Sequence, residues 1–384
     1  MTSRVRPRRL FLETDPCLRF HCFWCPRDGP PWTIMNAHLA SGHAPRSGAR
    51  WRAVVDPGPS EDAVSRSSRP EYPGSAREIT HDIRRHAMMG QAERGTPRVS
   101  VGMPVYNGER FIAQALDSLI GQSFSDLEIV ISDNASTDDT AAICAEYARR
   151  DSRIRYVRSA RNVGLAKNFQ RVVALSTGRY FKLANADDLC SPDLVAQCVG
   201  VLDRHPEVVL CYGKTTLIDR DGQTLRPYED RLHLSSASVI ERFRQALERV
   251  GLVNVLQGVI RVEALRRTAL IDNYLGADMV LVVELALHGQ FHELPERLFR
   301  RRIHDDAFST QTSDEGQQAL WEPGAKRKME LYFWRHYAGH LRAIARAQLP
   351  PATKLRLAAV VARRGIAARK ALARELVNDL RHRR

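Results

Sequence analysis

Residues 99–107 read VSVGMPVYN, and residues 128–140 read EIVISDNASTDDT. Each is a short apolar run that closes on polar residues: Tyr106 and Asn107 in the first, Asp133, Asn134 and Ser136 in the second. Between them Phe111, Ile112, Ala115, Leu116, Leu119 and Ile120 recur at helical spacing over 109–122. The alternation continues with helices over 138–150, 165–176 and 192–205, and strands over 154–157, 180–184 and 208–212. Parallel strands need crossover connections, so this order predicts an α/β fold with a Rossmann-like, mostly parallel sheet flanked by helices. Ligands of such sheets sit beyond the carboxyl ends of the strands, where these polar turns fall.

A third polar turn, Asn185-Ala186-Asp187-Asp188, follows the strand over 180–184. All three turns are expected at one rim. There Tyr106 would stack on a flat base, and Asp133 would accept hydrogen bonds from a base or ribose. Asp187 and Asp188 would hold Mg²⁺ or Mn²⁺, which favours one or two carboxylates plus ligand phosphates. Taken singly, each turn has a plainer reading as a helix cap or entry. Their order and spacing carry the joint reading.

With 161–165 (RNVGL) and 178–192 (GRYFKLANADDLCSP), these segments resemble family 2 glycosyltransferases of the GT-A fold over about residues 97–310. The resemblance implies transfer of a sugar from a nucleotide diphosphate donor, UDP by preference, to a saccharide or lipid-linked acceptor. It implies inversion, and a setting in cell-surface polysaccharide or lipopolysaccharide assembly. Pro104, Tyr106 and Asp133, with Asn107 beside them, would bind the nucleoside, while Arg161 and Lys167 fall near the diphosphate. Asp187 would ligate the metal with Asp188 next to it. The usual Asp-x-Asp has Asn185 at its first position here, an amide oxygen without charge.

Asp278, ahead of the apolar run 280–287, resembles the family's general base, although Ala277 stands where a glutamate is common. A direct displacement needs such a carboxylate beside the acceptor hydroxyl. An N-cap role fits the residue equally well. Arg302 and His304 resemble an Arg-x-His segment that would neutralise the leaving diphosphate or complete the metal shell.

The rest of the chain bounds these readings. It has 384 residues and a formal net charge of +14 (58 Lys and Arg against 44 Asp and Glu), which calls for an anionic partner. Four regions are expected: a low-order leader (1–96), a nucleotide-sugar half (97–213), an acceptor half (214–310) and a basic helical extension (311–384). Met88 and Met89 precede the folded part, so the leader could be extraneous to the working enzyme. Within it Cys22, Cys25, His38 and His43 have zinc-finger spacing. A Gly-Pro-Pro loop and the missing core Phe argue against a Zn²⁺ site.

Seven cysteines, an odd count, suggest a reducing compartment, and no apolar run is long enough to span a bilayer. A cytoplasmic protein is expected. From Lys354 onward ten Lys or Arg face only Glu375 and Asp379, interleaved with leucines and valines. Such a helix either packs on the catalytic domain or lies peripherally on an anionic membrane. Nucleic-acid binding is the rival class; it leaves the carboxylate turns unexplained. A nucleotidyltransferase or a non-catalytic nucleotide-sugar binder would share the front half without Asp278.

Overall fold

Val99, Val101 and Met103 alternate along β1 (Val99–Val105) and point to one side of a sheet, with Ile129 and Ile131 of β2 (Leu127–Asp133). There they meet Ile112, Leu116 and Leu119 of α1 (Ile112–Ile120). Val130 of β2, with Phe181 and Leu183 of β4 (Tyr180–Leu183), points the other way, onto Phe169 and Val172 of α3 (Leu165–Leu175). A strand buried on both faces needs two cores, and the period of two supplies them. Gly102 faces the second core without a side chain: a Cβ there would lie 2.6 Å from the Phe181 ring.

The computed structural model describes residues 95–304 and 331–382. The leader with Cys22, Cys25, His38 and His43 lies outside the described residues, as does 305–330. The front half also contains α2 (Thr140–Arg150), β3 (Ile154–Arg158), β5 (Leu189–Cys190) and α4 (Leu194–Arg204). After it come β6 (Val208–Ile218), β7 (Thr224–Tyr228), α5 (Val239–Arg249), β8 (Val259–Arg261), α6 (Val262–Arg266), α7 (Ala277–His288) and β9 (Gln290–Arg302). Three helices follow: α8 (Tyr332–Arg346), α9 (Pro351–Ala367) and α10 (Arg369–His382).

The nine strands form one sheet in the order β3-β2-β1-β4-β8-β6-β9-β5, with β7 paired to β6. From β3 to β4 all pairs are parallel, as the alternation requires. Beyond β4 the sheet is mixed: β8 is antiparallel to β4 and β6, and β6 is parallel to β9. The fading alternation beyond 214 instead predicts loops and separate helices there. Three-residue β8 is too short to show a period, and the arginines of β9 mask its burial pattern. The expected division at 213 falls inside β6, so the two halves share one sheet.

The C-terminal helices pack on α5 and α7, extending the same core through Tyr337, Ala343, Ile344, Leu357 and Val361. Glu284 of α7 is 1% exposed, yet it is charge-paired with Arg346 of α8 (3.0 Å) and accepts the Ala269 N–H (3.1 Å). Arg346 is 40% exposed, so the two partners are unequal. Removing the arginine strands a buried carboxylate, whereas removing the carboxylate leaves a solvated arginine. Arg346→Ala is expected to lower unfolding free energy by about 3 kcal/mol. Arg346→Ala/Glu284→Gln should recover most of that loss in urea denaturation.

Candidate active site

The β1–β2 register places Val105 opposite Asp133, so both strands end at the same rim. Backbone and side chains then stitch the turns together. The Asn134 N–H reaches Val105 O (2.8 Å), the Asn107 N–H reaches Ser136 Oγ (3.0 Å), and the Gly108 N–H reaches Thr140 Oγ1 (2.8 Å). Asn107 Oδ1 accepts the Thr137 N–H (2.9 Å), and Asn107 itself adopts φ 51°, which asparagine tolerates. A Cβ on Gly108 would lie 3.3 Å from that of Ala186, which brings the third turn alongside the first.

Asp133 is fully buried. Its Oδ1 accepts the Ser136 N–H (2.8 Å) and its Oδ2 the Tyr156 hydroxyl (2.7 Å), with Arg158 Nε at 3.4 Å. Asn134 latches the loop after β3: its Nδ2 donates to Asn162 Oδ1 (2.7 Å), and its Oδ1 accepts the Val163 N–H (2.9 Å). That loop carries Arg161 and leads into α3 at Gly164, where no side chain caps the helix. Arg161 and Lys167 are exposed, with no hydrogen bond or ion pair among the described residues. Uncapped N–H groups and two cations make this end of α3 receptive to an anion. Tyr106 is 39% exposed, its ring available at the rim. Pro104 is half-buried near the end of β1.

The third turn meets the end of β9. Asp188 is buried: its Oδ1 accepts the Arg302 N–H (2.8 Å) and its Oδ2 accepts Asn185 Nδ2 (2.8 Å). Burial and the neighbouring Asp187 push its carboxyl well above the usual range, while Arg301 pulls it down. The Arg302 guanidinium is committed within the protein, to the carbonyls of Asp187 (2.9 Å) and Arg220 (2.8 Å) and to Gln114 Oε1 (2.8 Å). It also lies 4.6 Å from the centre of the Phe111 ring. Its bonds make it a brace of the site.

Asp187 remains half-buried, its Oδ2 3.1 Å from His304 Nε2. Among the described residues no three His, Cys, Asp or Glu side chains gather as a preformed metal cage. A hard cation bound with a diphosphate needs only one or two protein carboxylates, and Asp187, 3.1 Å from His304, is the half-buried carboxylate at this turn.

Asp278 sits in the first turn of α7. Gly276, not Asp278, is the N-cap, and Asp278 Oδ1 accepts the adjacent Met279 N–H (2.8 Å). The N-cap reading therefore fails. Burial pushes its carboxyl up, and Arg301 opposes that shift. Arg301 thus acts on Asp188 and Asp278 alike, which ties the third turn electrostatically to the start of α7. Gly276 has φ +81°, and a Cβ there would lie 3.0 Å from the Tyr332 hydroxyl. Tyr332 begins α8, so the helical extension borders the turn that carries Asp278.

Tyr156, Arg158 and Tyr332 are not among the residues singled out from sequence, and Arg301 appears there only within the basic run 300–302. Arg158 was findable, because the β2–β3 register places it opposite Asp133. Tyr332 was not, for it arrives from 54 positions down the chain (278 to 332).

Residues 100–274 match the family description "Glycosyl transferase family 2". This domain belongs to that family. The chain is 28% identical over 223 residues to chondroitin synthase of Escherichia coli, covering 57% of the chain and 31% of that protein. It is 31% identical over 229 residues to an uncharacterized protein of Mycobacterium bovis, covering 56% of the chain and 62% of the relative. The chain thus spans less than two thirds of either relative. The crystal structure of S. aureus TarS 1-349 superposes with a TM-score of 0.51 at 16% identity, covering 70% of this chain and 72% of that one. The shared fold is GT-A.

Arg302 and Lys167 separate scaffold from surface. Arg302→Ala is expected to lower stability by roughly 3 kcal/mol, through lost carbonyl bonds and an exposed Asp188–Asp187 turn. Lys167→Ala should leave the melting temperature within a degree or so, since it severs nothing. Calorimetry of both variants checks the contrast.

Proposed function

We propose that the chain transfers a sugar from a nucleotide diphosphate donor, UDP-linked by preference, to a hydroxyl of a saccharide or lipid-linked acceptor with inversion. The gathering of the three polar turns, the Asp187–His304 pair and the start of α7 supports this reading. Crystals of S. aureus TarS hold UDP and UDP-GlcNAc in the same fold, which favours uridine. The chondroitin synthase relative favours a polysaccharide product, and with it cell-envelope assembly.

In this reading the Tyr106 ring stacks on the base, and Asp133, buried behind that slot, holds the turn to Ser136 in place. Pro104 and Asn107 shape the wall of that slot. Arg161, Lys167 and the open end of α3 attract the diphosphate, and Asn185 orients the ribose. Asp187 and His304 would hold Mn²⁺ or Mg²⁺; when bound, the cation offsets the charge that grows on the departing diphosphate. Asp188 and Arg302 keep that pair in place from behind.

Asp278 takes the proton from the acceptor hydroxyl as it attacks the anomeric carbon. Only the ionised form is a base. Because burial raises its pKa, the acid limb of kcat/KM should fall at a higher pH than an ordinary aspartate gives. Arg301 favours ionisation, so Arg301→Met should move that limb further up. Asp278→Asn should cut kcat about a thousandfold with donor binding intact. Undiminished turnover in a folded Asp278→Asn protein would remove it as the base.

Donor class is read by thermal shift with UDP, GDP, CDP and ADP, with and without Mn²⁺. Stabilisation by UDP that requires Mn²⁺ is expected, by about 2.7 kcal/mol at a hundredfold excess over Kd. Equal shifts for all four nucleotides, or none, would overturn the uridine assignment.

A further inference from the structure

Helices α8 and α9 contain no aspartate or glutamate, yet they carry seven cations, three in α8 (Arg335, Arg342, Arg346) and four in α9 (Lys354, Arg356, Arg363, Arg364). Helix α9 also has two apolar stripes. Leu357 and Val361, buried and one turn apart, dock it onto the catalytic domain. On the opposite side Leu355 and Ile366 are 73% and 64% exposed. Eleven residues is close to three helical turns, so these two share a face, with exposed Ala359 and Ala362 between them. Exposed Arg356 and Arg363 line one flank of that stripe.

Of the eight large apolar side chains exposed among the described residues, six belong to α8–α10. No described helix is long and apolar enough to cross a membrane. A cationic helix that is already docked, yet shows a second aliphatic stripe, has the character of an interfacial element.

We infer that α9 lays its Leu355–Ile366 face on an anionic lipid bilayer, the apolar stripe entering the headgroup region and Arg356 and Arg363 pairing with lipid phosphates. Nucleic acid is the weaker occupant, because aliphatic side chains gain nothing from a phosphate backbone and the stripe presents no ring for a base to stack on. Lipid uses both halves of the pattern, apolar and cationic. The inference is independent of the transfer reading, since it needs no donor, acceptor or turnover.

Flotation of the full chain tests it, with phosphatidylcholine vesicles and with vesicles containing one third phosphatidylglycerol, each at 0.1 and 0.5 M NaCl. The expected result is flotation with the anionic vesicles only, weakened by salt. Two double variants localise the contact, because the arginine-rich leader is also cationic. Leu355→Asp/Ile366→Asp and Arg356→Glu/Arg363→Glu should each reduce binding by about tenfold or more, with melting temperatures unchanged because all four residues are exposed. Flotation of both variants at the parent level would overturn the assignment. So would a parent that fails to float, or a parent dimer that only the Leu355/Ile366 variant dissolves, which would make the stripe a contact between copies. Tighter salt-dependent binding to a DNA duplex than to anionic vesicles, abolished by the same variants, would hand the face to nucleic acid.

Discussion

The junction between Asp188 and the end of β9 is the constraint on which the rim of polar turns depends. A carboxylate withdrawn from water accepts the backbone N–H of Arg302, and the Arg302 side chain returns to hold the carbonyl before it, at Asp187. The same guanidinium reaches the carbonyl of Arg220 and the side chain of Gln114, so one residue joins the turn after β6, helix α1 and the aspartate pair. His304 follows two positions later and inherits its place against Asp187 from that junction. A buried ion-rich node of this kind contributes little net stability compared with an apolar cluster of the same size. What it contributes is a fixed position, and the Asp187–His304 pair is only as well aimed as the brace behind it.

Much of the fold was legible because the front half obeys simple periods. Val101, Met103, Ile129 and Ile131 alternate, and Ile112, Leu116 and Leu119 recur at the helical interval; both patterns follow from burial on both sheet faces. The polar turns were legible for the same reason, since a parallel strand pair must end its strands together. Asp133, Asp187 and Asp188 fell where the pattern put them.

The limits of that legibility are equally physical. Residue type does not tell whether an aspartate offers its oxygens outward or spends them on the protein. Asp188 resembled a metal ligand in sequence, and its oxygens instead accept Arg302 and Asn185. Arg302 looked like a ligand-facing cation and is instead a brace. Only the arginine-rich end of strand β9 was legible, because its arginines are recruited one by one: Arg297 to the Thr215 carbonyl, Arg301 to Leu252, Arg302 to Arg220. An arginine that satisfies carbonyls is charged in sequence and structural in space.

Helix α8 has no capping side chain of its own, and its first N–H groups are met by Glu375, which reaches across from α10 to Phe333 (3.0 Å). The residue just before Phe333 is Tyr332, whose hydroxyl fills the space a Cβ on Gly276 would take, two residues before Asp278. Helix α10, the last described, is thus keystone to the wall beside Asp278. Trimming it, or fusing a tag to it for convenience in purification, is an intervention at that wall, however remote it looks on a linear map.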